Sequence, residues 1–366
     1  MNISLDRAQR APNALCAHSL DRAQRAPNAL CAHSSNRTLR EINALRAHTG
    51  KVSSRVSLLA ALTLALGATA WSKTAVILST DVGNEIDDQW AIAYMLVNPA
   101  FDALGIISAH APSLPAPSAH ATYEVLKDEV EHRMGMATHP PLFEGSSLPL
   151  ADNKTPRPNA GVDFIVETSK RFSKDHRLVV LTIGAATDVA SAILENPSIT
   201  DRISVVAMGF RNLTEAGKEY NVQNDPKAWQ VILDSDVPVT IGSGDVCQRD
   251  LALSFEGAKK LISGHGPVGA WLWQEYQAWY FRFVKPLRVD DFSKPWVIWD
   301  IVTLAYEQGM TTQKTIPRPH LADDRSFEQV KTGKTITWVT SIDSGRLWAD
   351  FIAKLDDYER THAIPQ

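Results

Sequence analysis

Four acidic residues fall within the eight positions Asp81-Val82-Gly83-Asn84-Glu85-Ile86-Asp87-Asp88. They follow directly on the apolar run Ala75–Thr80, which reads as a buried strand. Gly83 permits a tight turn among them. Carboxylates crowded at a strand end are costly unless something positive lies between them. Hard cations such as Ca²⁺ take about 6–8 oxygen ligands from carboxylates, backbone carbonyls and water. A plainer reading makes Asp87 and Asp88 first-turn acids of a helix, favoured there by its dipole. That reading leaves Asp81, at the strand end, without a reason, so the cluster points to a cation.

Three further segments end in suitable places. Strand-like Leu178–Ile183 leads into Gly184-Ala185-Ala186-Thr187-Asp188, where an irregular carbonyl can face the same crevice. Glu219-Tyr220-Asn221 precedes Asn224-Asp225-Pro226. Asp225-Pro226 reads as an N-cap with proline at N1, which leaves Glu219 and Asn221 free for a ligand. Trp299-Asp300 opens the helical pattern Ile301–Tyr306, and Asp300 taken alone is equally well read as a cap.

The elements that must hold these residues alternate. Runs 75–80, 104–108, 178–183, 203–208 and 237–241 predict strands, and 86–97, 119–132, 162–172, 188–194 and 225–233 predict helices. Thr138–Pro158 is rich in proline and reads as loop. Phe255–Val284 reads mostly as helix, and its aromatics (Trp271, Trp273, Tyr276, Trp279, Tyr280, Phe281 and Phe283) suit core or lid packing. A strand over 335–341 and a helix over 344–358 close the chain. Near-continuous apolar strands alternating with helices predict a single α/β domain. Its sheet is mostly parallel and open, Rossmann-like at its core, with helices on both faces. Such sheets bind ligands beyond the carboxyl ends of their strands.

Bulk composition narrows the function. The 366 residues are 44% hydrophobic and 21% charged, with a net charge of −4, which argues against a nucleic-acid partner. Of three cysteines, Cys16 and Cys31 lie in a repetitive leader. Cys247 alone can build neither a disulfide framework nor a thiolate zinc site. The leader repeats SLDRAQRAPNALCAH at 4–18 and 19–33, with a worn copy at Asn43–His48. The repeat is too short and polar for a solenoid, and reads best as a repeated DNA element that has been translated. Arg55, the apolar run Val56–Ala70 and the Ala68-Thr69-Ala70 box form a signal-peptide pattern. The run is shorter than the roughly 20 residues that span a bilayer. The expected organisation is a leader over 1–50, a signal peptide over 51–70 and a catalytic domain over 71–366. Export to the periplasm or medium follows, with no stable membrane insertion after cleavage.

Taken in order, these segments resemble the inosine–uridine-type nucleoside hydrolase family. Ser79–Asp88 is similar to a longer variant of its DxDxGxDD motif. Ile183–Ala190 is similar to TGPLTNLA, Met208-Gly209-Phe210 to MGG, Glu219–Ala228 to EFNxxxDPEAA and Trp299–Tyr306 to HDPLAVAY. The resemblance implies a Ca²⁺-dependent hydrolase of N-ribosidic bonds, a role in purine or pyrimidine salvage, and a small nucleoside or ribosyl substrate. Oligomeric state, including a homo-oligomer, is left open. It implies Ca²⁺ ligands in Asp81, Asp88, Asp300 and the Ile183 carbonyl. Asp81 would also be the general base toward a water acidified by the cation. Asp87 would hold ribose hydroxyls, and Glu219 and Asn221 the 5′-hydroxyl side.

This chain departs from the family pattern at four places. The first motif aspartate is Ser79. Ser108-Ala109-His110-Ala111-Pro112 lacks the usual Gly-Asn pair. Asn212 is only a weak match for an asparagine expected before Glu219. The histidine that can protonate a departing base is Trp299, which could instead stack on it. His110 and His265 are candidate replacement acids, though an ordinary surface histidine is the plainer reading of both. A different ribosyl substrate, or a sugar-binding relative without turnover, are the competing functions. A phosphatase built on Asp81 lacks a convincing lysine and phosphate-binding set. A chain starting at Trp71 is expected to fold and to be fully active. A large loss of Tm or turnover on deleting residues 1–70 would contradict the leader reading.

Overall fold

The computed structural model describes residues 73–284 and 294–362; the expected leader and signal peptide lie outside the described residues. The first half alternates strand and helix, as the apolar periodicity predicts. Strand β1 (Thr74–Thr80) leads to helix α1 (Asp87–Val97), β2 (Phe101–Ser108) to α2 (Ser118–Lys127), and β3 (Leu142–Glu144) to α3 (Ala160–Ser169). Then follow β4 (Leu178–Thr182), α4 (Thr187–Glu195), β5 (Ile203–Met208), α5 (Tyr220–Asn224), α6 (Pro226–Asp234) and β6 (Val239–Gly242).

The second half is mainly helical. It holds α7 (Gly244–Asp250), β7 (Ala252–Leu253), α8 (Phe255–Ile262), α9 (Gly266–Trp279), β8 (Trp296–Val297) and α10 (Val302–Glu307). The strands β9 (Thr311–Pro317), β10 (Pro319–Leu321), β11 (Phe327–Gln329) and β12 (Thr335–Ile342) precede the last helix, α11 (Ser344–His362). No helix among the described residues is long and apolar enough to cross a membrane.

Eight strands form one sheet in the order β3-β2-β1-β4-β5-β6-β12-β9. All pairings are parallel except β12 with β9. Period-two side chains fill both faces, as a sheet covered twice requires. In β1, Val76 and Leu78 join one core while Ile77 joins the other; in β4, Leu181 and Val180 divide the same way. Helices α1, α8, α9, α10 and α11 cover the first face, and α3, α4 and α6 the second. Chain order reverses between β1 and β4, which opens a crevice beyond their carboxyl ends.

Two corrections concern the predicted elements. The loop expected over 138–158 contains β3, a three-residue strand paired with β2 at the sheet edge. Glu219 is not free of capping duty. Its carboxylate accepts from the backbone N–H of Asn221 at 2.8 Å and of Val222 at 2.9 Å, starting the short helix α5. Asp225 caps α6 as expected, accepting from Ala228 N at 2.9 Å, and also takes Thr187 Oγ1 at 2.6 Å and Leu150 N at 2.8 Å. Asp188 accepts from Ser146 N at 3.0 Å and Asn159 Nδ2 at 2.7 Å. These two buried carboxylates pin the proline-rich segment onto the sheet end. Each N–H or O–H they take is a donor that would otherwise be stranded, at a cost of about 1–3 kcal/mol.

Candidate active site at the sheet switch point

The turn after β1 is built for close approach. Gly83 has φ +95°, and a Cβ there would lie 3.0 Å from Val125. A Cβ on Gly184, just after β4, would lie 2.9 Å from the Asp81 backbone nitrogen. Ile183 N donates to Ser79 O at 2.9 Å, so the ends of β1 and β4 stay locked together. The pocket between them has a volume of about 230 Å³ and is lined by Asp81, Glu85, Asp87, Asp88, Glu219 and Asp300, with Ile183, Asn221 and Trp299. The structure thus gathers Asp81, Asp87, Asp88, Ile183, Glu219, Asn221, Trp299 and Asp300 into one cavity.

Asp87, Asp88 and Asp300 each present an oxygen to a common point, and these atoms lie within 4.8 Å of one another. This group takes Asp87 where the resemblance implies Asp81 as the third carboxylate. Asp81 lines the same pocket, and its Oδ2 accepts from Asn84 Nδ2 at 3.2 Å. Asp88 is oriented by Thr80, whose Oγ1 donates to Oδ1 at 2.5 Å. Asn221 Nδ2 donates to the Ile183 carbonyl at 3.0 Å, which leaves that oxygen a second lone pair.

Burial is the main cause of the electrostatic strain. It pushes Asp81, Asp87 and Asp300 well above the usual carboxylate range, and repulsion from neighbouring acids pushes them further. Burial brings Asp88, Glu85 and Glu219 up to about 7. Asp87 and Asp300 bring oxygens within 4.8 Å of each other, where two bare carboxylates repel. An all-oxygen donor set, buried and mutually repulsive, fits a hard divalent cation.

Phe210 is a further departure from the family pattern, and the structure places Trp299 and the other singled-out residues. Phe210 stands where the family motif has its second glycine, and it adopts φ +63°. That conformation disfavours a bulky side chain; here the ring is held by Trp229 at 4.7 Å and Phe327 at 4.8 Å between centroids. Trp299 lines the pocket rather than only packing beside α10, and its Nε1 donates to Glu85 Oε1 at 3.1 Å. His110 is not a surface residue. It is buried outside the pocket lining, and desolvation lowers it to about 4, so it is neutral near pH 7. His265 pairs with Asp356 at 2.7 Å, also outside the pocket lining. Asn212 is spent on its own turn, accepting from Thr214 N and Glu215 N.

Sequence reasoning gave no pocket role to Asn84, Arg211, Lys218, Tyr220 or Trp296, all of which line the cavity. Asn84 and Tyr220 lie inside segments already singled out, and Arg211 follows the β5 end. The available signal was proximity to those motifs. Asn84 ties the rim together: its Oδ1 accepts from Ser113 Oγ and from Tyr220 OH.

Fold and site define an α/β protein with an acidic, cation-compatible pocket at the switch point of its sheet. The model of the inosine–uridine preferring nucleoside hydrolase family matches residues 76–349, and the chain belongs to that family. An uncharacterised protein of Schizosaccharomyces pombe is 30% identical over 141 residues, covering 36% of this chain and 45% of the relative. The pyrimidine-specific ribonucleoside hydrolase RihA of Escherichia coli is 24% identical over 201 residues, covering 48% of this chain and 61% of the relative. The matched segments therefore span less than two thirds of these relatives.

Among solved structures, the purine-preferring ribonucleoside hydrolase of Gardnerella vaginalis aligns with a TM-score of 0.59 at 20% identity, covering 79% of this chain and 100% of that one. An inosine–guanosine nucleoside hydrolase gives 0.61 at 14% identity, covering 78% and 99%. The type III effector XopQ, solved with adenosine diphosphate ribose, gives 0.57 at 14%, covering 82% and 98%. At such identities these three structures support the fold.

The raised acids make stability depend on pH in a defined sense. Asp88, Glu85 and Glu219 sit at about 7 in the folded chain, against about 4 when unfolded. Between those values the folded state binds more protons, so stability falls as pH rises through the window. A cation at the cluster would replace the protons. The Tm of chelated protein is expected to fall between about pH 5 and about pH 8, with Ca²⁺ raising Tm more at the higher pH. Asp88→Asn should lose most of that Ca²⁺ response. Equal Ca²⁺ shifts at both pH values, or an undiminished shift in the variant, would count against a cation at this cluster.

Proposed function

We propose that the protein hydrolyses the N-glycosidic bond of a ribonucleoside, giving ribose and a free base, with Ca²⁺ held by the acid cluster. One observation carries the reading: Asp81, Asp87, Asp88, Asp300 and Ile183 line one pocket at the β1/β4 switch point, inside the span that matches the family. The relatives' names divide between purine- and pyrimidine-specific enzymes, so they support the bond broken and leave the base open.

Asp88, Asp300 and the Ile183 carbonyl, with Asp81 or Asp87, would hold the ion. Bound there, a divalent cation supplies charge that lowers the pKa of water and offsets the buried carboxylates. Asp81 is the general base. Asn84 occupies its Oδ2 and fixes its orientation, leaving Oδ1 to accept a proton from the attacking water. Asp87 binds ribose hydroxyls. Glu219 and Asn221, both anchored by backbone contacts, present their remaining lone pairs to the 5′-hydroxyl. As the bond to the base breaks, positive charge grows on the sugar ring, and the surrounding carboxylates stabilise it.

The leaving group meets Trp299, whose indole has one N–H, already given to Glu85, and no proton that titrates near neutrality. The ring stacks on a flat base and excludes water, and base departure relies on protonation of the base itself. This favours purines, which accept a proton at N7. A second reading, hydrolysis of another ribosyl compound, rests on the same replacement of histidine by Trp299. A sugar-binding relative without turnover is disfavoured by the intact acid cluster, which is costly to bury without a cation. The signal-like 51–70 segment supports export of a mature chain beginning near Trp71.

The test is release of free ribose from inosine, adenosine and uridine. Chelation should abolish it, and Ca²⁺ should restore it better than Zn²⁺, because the ligands are all oxygens. Asp81→Asn should lower kcat by about 10³. Trp299→His should raise kcat/KM for uridine more than for inosine. Near-normal turnover in Asp81→Asn would refute the base assignment. A wild type that prefers uridine and ignores the Trp299 substitution would refute the leaving-group account.

A further inference from the structure

Two indoles line the acid pocket, Trp296 and Trp299. The fold treats their ring nitrogens differently. Trp296 Nε1 is buried with no hydrogen-bond partner among the described residues, whereas Trp299 Nε1 donates to Glu85 Oε1 at 3.1 Å. An indole has one N–H, so this bond is the one polar tether available to the Trp299 ring. The backbone around it is fixed independently. Ile298 N donates to Leu251 O at 3.2 Å, and the Trp299 carbonyl accepts from Val302 N at 3.3 Å and from Cys247 Sγ at 3.6 Å. With the main chain held, what remains free in Trp299 is rotation about its side-chain torsions, and the bond to Glu85 selects among those rotamers.

Glu85 is placed for that task by the acid motif. Asn84, Glu85 and Ile86 stand between Gly83 and the Asp87-Asp88 pair, where DxDxGxDD has a single residue. Asn84 turns to Asp81, and Ile86 packs into the core. Glu85 is the one of the three whose side chain reaches the segment that carries Asp300. The bond also joins the two stretches of chain that hold the clustered aspartates. Asp87 and Asp88 lie just after Glu85, and Asp300 just after Trp299. It asks only for an acceptor: a carboxylate, a carboxylic acid and a carboxamide each present an oxygen to the indole.

We propose that Glu85 is a positioning residue: by holding the Trp299 N–H it fixes the indole plane against which the leaving base stacks. The inference rests on the proposed function, which puts the base at Trp299. Stacking is present in the bound substrate as well as in the transition state, so its misalignment appears in KM more than in kcat. A two-ring purine overlaps the indole more than a one-ring pyrimidine does, so the loss is larger for inosine than for uridine.

The experiment measures kcat and KM for inosine and uridine by ribose release in the Ca²⁺-loaded full chain. Glu85→Ala should raise KM for inosine about five- to tenfold, the effect of one hydrogen bond. KM for uridine should rise less, and kcat should change less than KM for both. Glu85→Gln, which keeps an oxygen for the indole, should hold KM close to the wild-type value. Trp299→Phe keeps a flat ring without the N–H, so it should raise KM and make Glu85→Ala nearly silent when the two are combined. Glu85→Gln as damaging as Glu85→Ala, or full additivity of Glu85→Ala with Trp299→Phe, would overturn the inference and leave the proposed function standing. So would a fall in kcat at unchanged KM together with loss of the Ca²⁺ rise in Tm, which would make Glu85 a support of the acid cluster. If the wild type cleaves neither nucleoside, the proposed function falls, and calorimetric binding of hypoxanthine decides the role of Glu85. Affinity reduced in Glu85→Ala and kept in Glu85→Gln would support it; equal affinity in all three proteins would overturn it.

Discussion

Six carboxyl groups share one pocket in this protein, and the cost of holding them together governs much of the structure. Five of them are buried and Glu85 is half-buried. Removing so many like charges from water is unfavourable twice over, through lost solvation and through mutual repulsion. Protons can relieve it, at the price of carboxylates that no longer act as bases. A divalent cation relieves it and leaves them ionised. Three of the acids, Asp87, Asp88 and Asp300, bring oxygens within 4.8 Å of one another, an arrangement that could hold a metal ion.

The scaffold achieves that convergence through the switch point. Beyond β1 and β4 the chain leaves the sheet in opposite directions, so the crevice needs no extra domain. Gly184 lets the two strand ends approach, and Thr80 fixes Asp88. Asn221 reaches back from α5 to the Ile183 carbonyl. Asp225 and Asp188, one layer farther out, tie the 146–159 segment to α4 and α6. The apolar cores on the two faces hold the sheet rigid beneath the site, which preorganises the carboxylates.

Much of this was legible in the sequence, for local reasons. Ala75–Thr80 and Leu178–Ile183 are continuous apolar runs, and the residues that matter follow them immediately. The elements that escaped have weak local signals. Strand β3 is three residues long inside a proline-rich stretch, and β9 (Thr-Thr-Gln-Lys-Thr-Ile-Pro) is a mostly exposed edge with no apolar alternation. Helix α5 has five residues, too few for a periodicity, and its cap consumed lone pairs of Glu219 that the sequence left free. The Glu85–Trp299 contact joins positions 214 residues apart, and only the fold brings the motif acid and the substituted histidine position together.

That contact also divides the site into two chemical halves. One half, around Asp87, Asp88 and Asp300, is anionic and, in the function proposed, takes the ribose. The other half carries the Trp296 and Trp299 indoles and, in the same proposal, faces the leaving group. Everything in the account depends on a cation occupying the first half. The most direct measurement is a crystal structure grown with Ca²⁺. The account predicts one strong peak among the Asp88 and Asp300 carboxylates, the Ile183 carbonyl and the carboxylate of Asp81 or Asp87, with oxygen distances of about 2.3–2.6 Å. A well-ordered pocket with the carboxyls hydrogen-bonded to one another and no ion between them would contradict it.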